Sequence, residues 1–247
     1  MKSNDEKGFT LIELMVAMAM ASIVVGVIYS AYNVQSKIYT EQDKTAEMQQ
    51  NIRAGIAYLQ HEIRMAGYNP KREEHGTCSD DGSVKAPGFH TATATSIGFS
   101  MDLNEDGDCG DPGENVTYSV YTSGGVQKLG RNDNNNAMAQ QPVAENITNI
   151  NFVYLFTPPA MGSPATKPPT STPSATERKE IVAVQVSLLA KSKTPDRNPT
   201  TTTTFTIPVP DAWGQPTANP LVLPPFTDSY RRRLLTTTVN CRNMGMN

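Results

Sequence analysis

One stretch settles most of what this chain can become: FTLIELMVAMAMASIVVGVIY, from Phe9 to Tyr29, holds a single charge, Glu13. Its length matches the ~20 apolar residues that carry a helix across a bilayer. The 247-residue chain as a whole has a mean hydropathy of −0.42 and is 38% hydrophobic, so apolar content is concentrated at the N-terminus. The remainder reads as one water-exposed domain with a real core. Lys2 and Lys7 precede the stretch, and no lysine or arginine follows until Lys37, which orients the N-terminus toward the cytoplasm and the rest outward. A secretory signal would be cut after its apolar run; here the sharpest junction, Lys7-Gly8-Phe9, comes before it.

Helical periodicity should outlast the apolar run. Ile52, Ile56, Leu59, Ile63 and Ala66 recur at spacings of four and three among polar residues, which describes one buried face of an amphipathic helix. Gly67 can take the left-handed cap and Pro70 cannot continue the helix, so the spacing predicts a stop there. A helix from Thr10 to Ala66 would measure roughly 85 Å at ~1.5 Å per residue. Gly26 and Gly55 mark bends or close contacts along it.

Beyond Pro70 the pattern changes to short strands: Ser96 to Met101, Val116 to Thr122, Val126 to Leu129, Ile147 to Phe156, Ile181 to Ala190, Thr203 to Val209 and Leu234 to Asn240. Gly124-Gly125 reads as a hairpin turn. Alternation in Ile181 to Leu188 predicts a half-buried strand. Residues 157–176 are rich in proline, serine and threonine and should form an exposed, mobile loop, whereas Pro208 to Pro225, which carries Trp213 and several aliphatics, should pack as a return connection. The expected fold class is α+β, a long N-terminal helix on a mainly antiparallel sheet.

The N-terminal string now becomes specific. Gly8-Phe9-Thr10-Leu11-Ile12-Glu13-Leu14 resembles the processing motif of type IV pilins and type II secretion pseudopilins. That resemblance implies a prepilin peptidase that cuts after Gly8 and methylates Phe9. Glycine suits such a site, because no side chain shields the scissile peptide. It also implies an assembly role for Glu13, whose carboxylate would neutralise the cationic N-terminus of a staggered neighbour; ionisable groups in an apolar span are costly and usually functional. The residues then divide into a leader at 1–8, a transmembrane and assembly half of the helix at 9–29, an amphipathic half at 30–67, and a β-rich domain at 68–247 facing the periplasm before assembly and the cell surface after it.

Further strings are similar to the PilW family of minor pilins: Ala66-Gly67-Tyr68-Asn69-Pro70, Val143-Ala144-Glu145-Asn146-Ile147 leading into Phe152, and Tyr230-Arg231-Arg232-Arg233-Leu234-Leu235-Thr236-Thr237-Thr238-Val239. The resemblance implies a fibre subunit acting in pilus initiation and assembly, with prepilin peptidase, the inner membrane, and other minor and major pilins as partners. A J-like pseudopilin of type II secretion and a membrane-anchored adhesin stay open as alternatives. The three arginines read as a strand edge kept soluble.

Asp102-Leu103-Asn104-Glu105-Asp106-Gly107-Asp108 matches the first half of an EF-hand calcium loop, with oxygen donors at alternating positions and glycine sixth. The second half departs from it: Gly113 holds the twelfth position and Glu114 comes one residue late. Asp102, Asn104, Asp106, Asp108 and Glu114 are candidate Ca2+ ligands, with Asp111 in reserve; an acidic strand connection without a metal is the competing reading. Of three cysteines, Cys109 lies in this loop and could pair with Cys78, and Cys241 competes. His61, His75 and His90 stand in no catalytic neighbourhood. With a net charge of −3 and no dense Lys/Arg cluster except Arg231 to Arg233, nothing suggests a nucleic-acid footprint.

Overall fold

The computed structural model describes residues 8–71, 88–136, 139–157, 167–196, 201–211, 217 and 220–244. The chain divides into two compact units, Met1–Ala46 and Glu47–Asn247. Cys78, His75, Trp213 and the first seven residues, all of which figured in the expectations above, lie outside the described residues.

One helix, α1, runs over Leu11–Met65. It stops where the glycine and proline required: Gly67 takes φ +76°, and Tyr68 N donates to Met65 O at 2.9 Å. The apolar stripe is buried as its spacing predicts. Ile52, Ile56, Leu59, Ile63 and Ala66 all lie in the main core, joined by Met48 one turn earlier.

Among the described residues twelve strands follow: β1 (Phe89–Ala92), β2 (Ser96–Ser100), β3 (Asn115–Ser123), β4 (Val126–Asp133), β5 (Gln141–Glu145), β6 (Ile147–Phe156), β7 (Ile181–Lys191), β8 (Thr201–Thr203), β9 (Thr206–Ile207), β10 (Leu221–Val222), β11 (Phe226–Asp228) and β12 (Arg232–Asn240). The first five form an antiparallel meander in chain order; a second antiparallel sheet has the order β12, β7, β6. Two small ribbons pair β10 with β9 and β11 with β8. Gly124-Gly125 makes the β3–β4 turn with both φ positive, as a two-residue hairpin requires. Asn146 performs a similar service between the sheets: at φ +59° it separates β5 from β6, and asparagine tolerates that region better than most side chains.

The helix closes on both sheets at once. Gly55 shows how tightly, since a Cβ added there would lie 3.2 Å from Ala144 Cβ of β5 and from Leu188 Cδ1 of β7. Glu62 adds a polar clamp on the meander: Tyr118 Oη of β3 donates to Glu62 Oε2 at 2.6 Å and Arg131 Nε of β4 donates to Oε1 at 3.0 Å. Burial pushes the Tyr118 hydroxyl pKa well up, so it remains a donor at any ordinary pH. Gln60 Nε2 reaches Thr237 Oγ1 of β12 at 3.0 Å.

Three expectations need correction. β7 is not half-buried; all but its second and last residues are buried, because Val184, Val186 and Leu188 face the main core while Leu189 packs with Ile207 and Leu223 on the other side. Its polar positions are covered too, with Gln185 Nε2 donating to Pro208 O at 2.6 Å and the Ser187 hydroxyl 2.9 Å from that of Thr236. The segment 203–209 is not one strand but parts of two ribbons. The latter half of the Pro/Ser/Thr-rich segment is held, since Thr170 and Tyr154 exchange backbone hydrogen bonds of 2.8 and 3.2 Å and Pro173 is buried. β12 does occupy a sheet edge, and two of its neighbouring arginines are engaged within the chain: Arg231 with Asp196 at 2.7 Å, and Arg232 with both oxygens of Asp228 at 2.6 Å. Asp228 is held below the usual carboxylate range by that Arg232 fork.

The stripe and the core make two outcomes specific. Leu59→Ala should cost about 2–5 kcal/mol in urea unfolding of the full chain, whereas Val34→Ala, on an exposed turn of α1, should stay within about 0.5 kcal/mol; equal losses would contradict the burial pattern. Cys241 is a buried free thiol whose pKa burial pushes up to about 12, so alkylation at pH 8 should spare it in the native protein and modify it after unfolding. Peptide mass mapping that found a native-state adduct at Cys241 would contradict its placement.

Candidate functional site

Two parts of the chain carry groups that the core does not use. The first is the start of α1, in the N-terminal unit. Every residue from Gly8 to Thr40 is exposed, the whole apolar run from Phe9 to Tyr29 included. A helix apolar on all sides, without cover from its own unit, is suited to lipid or to the apolar helices of other molecules. Gly8 and Phe9 stand ahead of the first turn, and a side chain at Gly8 would meet nothing within 4 Å, so the peptide between them is open.

Glu13 has a partner in its own subunit. Its backbone N donates to Thr10 Oγ1 at 3.3 Å, and Thr10 N and Oγ1 both donate to Glu13 Oε2, at 3.0 and 2.9 Å. This is a reciprocal capping box: the Thr-x-x-Glu spacing satisfies two backbone donors that a helix start leaves without partners. The carboxylate also sits at the positive end of the helix dipole. Thr10 was not among the expected site residues, although the spacing that identifies it is plain in the sequence.

The second part is the connection from β2 to β3, residues 101–114, in the larger unit. It is anchored at its base, where Met101 N donates to Glu114 O at 2.9 Å and Asp102 N to Tyr68 O at 2.9 Å, just past the end of α1. Asp102 is wholly buried, and its Oδ2 accepts from Gly107 N at 3.2 Å. The sixth-position glycine thus adopts φ +100° and turns its N–H back on the first-position carboxylate. Asn104 Oδ1 accepts from Asp106 N, Asp106 Oδ1 from Asp108 N, and Asp108 Oδ1 from Gly110 N, at 3.1, 3.0 and 2.6 Å. The Asp108 amide first, and then the Asn104 side chain, hold Asp106 below the usual carboxylate range.

The expected ligands separate into two groups. Asp106 and Asp108 come together with Asp111, each offering an exposed carboxylate oxygen within 4.8 Å of the others. Glu114 points elsewhere: it is 1% exposed, Oε1 accepts from Leu103 N and Asn104 N at 2.8 and 3.3 Å, and Oε2 accepts from Asp111 N at 3.2 Å. It closes the loop from inside. Asn135 Nδ2 holds the far side by donating to the carbonyls of Cys109 and Asp111 at 2.6 and 2.8 Å. Cys109 is disulfide-bonded.

Against known proteins, residues 117–243 match the family described as Type IV Pilus-assembly protein W, and residues 3–29 match the prokaryotic N-terminal methylation motif. A type IV-like pilin from Thermus thermophilus is structurally similar over 80% of this chain and 97% of its own, with 14% sequence identity and a TM-score of 0.44. No curated protein matches the sequence. The family match runs from β3 through β12, over just more than half of the chain, and a methylation motif heads the exposed apolar helix. The chain is a type IV pilin-like protein and belongs to the PilW family.

Proposed function

We propose that this protein is a minor pilin, cut after Gly8 by prepilin peptidase, methylated at Phe9, and used with other minor pilins to initiate and assemble a type IV pilus. The observation that carries this reading is the uncovered apolar half of α1, from Gly8 onward, on a chain of the PilW family. Such a surface is unstable in water, so it needs lipid before assembly and other apolar helices afterwards. The positive-inside arrangement of Lys2 and Lys7 supports an inner-membrane anchor with the β-rich domain facing the periplasm. Cys78 and Cys109 as a disulfide pair suits that oxidising side.

Glu13 has two successive uses in this scheme. In the free subunit it caps its own helix through Thr10. In the fibre its charge meets the methylated, still cationic amine of an adjacent Phe9, and in a low-dielectric helix bundle that attraction is far stronger than in water. No catalytic step is assigned, and assembly is the function.

Deletion of the protein should abolish surface fibres while leaving secreted enzymes at wild-type levels; a block in export with normal piliation would instead place it in a type II secretion system. Glu13→Leu should be trimmed and inserted normally yet fail to restore fibres, whereas Thr10→Ala, which removes only the cap, should restore them in part. Full restoration by Glu13→Leu would contradict the assembly role.

A further inference from the structure

We propose that the β2–β3 connection is a calcium site, with Asp102, Asn104, Asp106, Asp108 and Asp111 as its ligands and Glu114 as the group that shapes it. This goes beyond the pilin reading and does not depend on it.

Two independent observations support it. Asp106, Asp108 and Asp111 converge to within 4.8 Å. At the start of the same loop Asp102 is 0% exposed, and its Oδ1 has no hydrogen-bond partner while its Oδ2 accepts from Gly107. That bond turns the buried carboxylate toward the 104–108 turn. A carboxylate removed from water with one oxygen unmatched is unfavourable unless a cation or a donor meets it. Between 102 and 114 the sequence has six acidic side chains and no basic one. Basic groups near the loop go to carbonyls: among the described residues Lys71 Nζ donates to Asp106 O at 3.0 Å and Arg131 to Gly113 O at 3.4 Å.

The amide of Asn104 marks where positive charge is wanted, for its Nδ2 lies 3.0 Å from Asp106 Oδ2 and 2.6 Å from Asp111 Oδ2. A cation between those carboxylates would take the place of the amide N–H groups, and Asn104 Oδ1, which accepts from Asp106 N, keeps a second lone pair to offer it. The donors are all oxygen, and Cys109 is held in a disulfide, so the set suits a hard cation and not zinc or copper. Several protein oxygens on an irregular loop suit calcium, which accepts 6–8 ligands in loose geometry, better than magnesium, which keeps its waters and a strict octahedron. Glu114, with both oxygens on backbone N–H groups, holds the loop in shape and is not counted as a ligand.

The site would tie three things together. Asp102 N binds the carbonyl of Tyr68 at the end of α1, the Tyr68 hydroxyl donates to Glu105 Oε1 at 2.9 Å, and the loop's ends are β2 and β3. Calcium there stabilises the seam between the helix end and the meander, and a loop with this number of carboxylates suits the weak end of calcium affinities, about 10⁻⁴–10⁻³ M.

Thermal unfolding of the full-length protein in detergent tests this, with CaCl2 compared against EGTA, against MgCl2, and against NaCl of equal ionic strength. The expected result is a saturable rise in Tm of about 5–10 °C at calcium a hundredfold above Kd, reversed by EGTA and not reproduced by NaCl. Asp106→Asn/Asp108→Asn, both exposed, should fold, match or exceed wild type in EGTA, and lose the calcium response. Asp102→Asn should be at least as stable as wild type in EGTA, because a buried charge has gone, and should also lose the response. No calcium-dependent shift, a shift matched by NaCl, or one that survives in Asp106→Asn/Asp108→Asn would each overturn the site.

Discussion

The folded domain depends on one helical face. Ile52, Ile56, Leu59, Ile63 and Ala66 present a single apolar stripe that shares one core with residues of two antiparallel sheets. Each large side chain so buried contributes on the order of 1.5–3 kcal/mol relative to exposure. Gly55 lets β5 and β7 approach the helix backbone, and Glu62 joins β3 and β4 to it through Tyr118 and Arg131. The remaining face of β7 is covered by the small cluster of Leu189, Ile207 and Leu223. Two clusters of unequal size, on the two faces of the β12-β7-β6 sheet, account for why its central strand is apolar nearly throughout.

The N-terminal unit makes the opposite demand. Its side chains from Phe9 to Tyr29 are as apolar as the stripe and are exposed. That is the physical content of a pilin-like subunit: a domain satisfied by its own stripe, and a segment of helix satisfied only by lipid or by other copies of the same kind of helix. Within this segment the capping box gives the Glu13 carboxylate a local partner in Thr10.

Patterns with a strong period were legible from residues alone. The stripe, the stop at Gly67, the Gly124-Gly125 turn and the span of β6 all followed from local rules that tertiary contacts did not override. What was not legible lay where partners decide. β1, FHTA, is short and mixes polar with apolar side chains, and β5, QPVAE, carries Pro142 at the edge of the meander, where a missing N–H is tolerated. β7 read as half-buried because Gln185 and Ser187 are polar, yet Pro208 and Thr236 supply the partners that let them be covered. In the acidic loop, spacing identified the first half, but the direction of Glu114 and the advance of Asp111 depend on backbone turns at Glu105, Gly107 and Gly113 that no periodicity encodes. Thr10 is legible as a cap from the Thr-x-x-Glu spacing it makes with Glu13.

The proposed minor-pilin function depends most heavily on cleavage of the junction between Gly8 and Phe9. The direct measurement is the intact and N-terminal mass of the protein recovered from cells that contain prepilin peptidase. A chain beginning at Phe9 with a methylated amine is the predicted result. A chain that still begins at Met1 in those cells would contradict it.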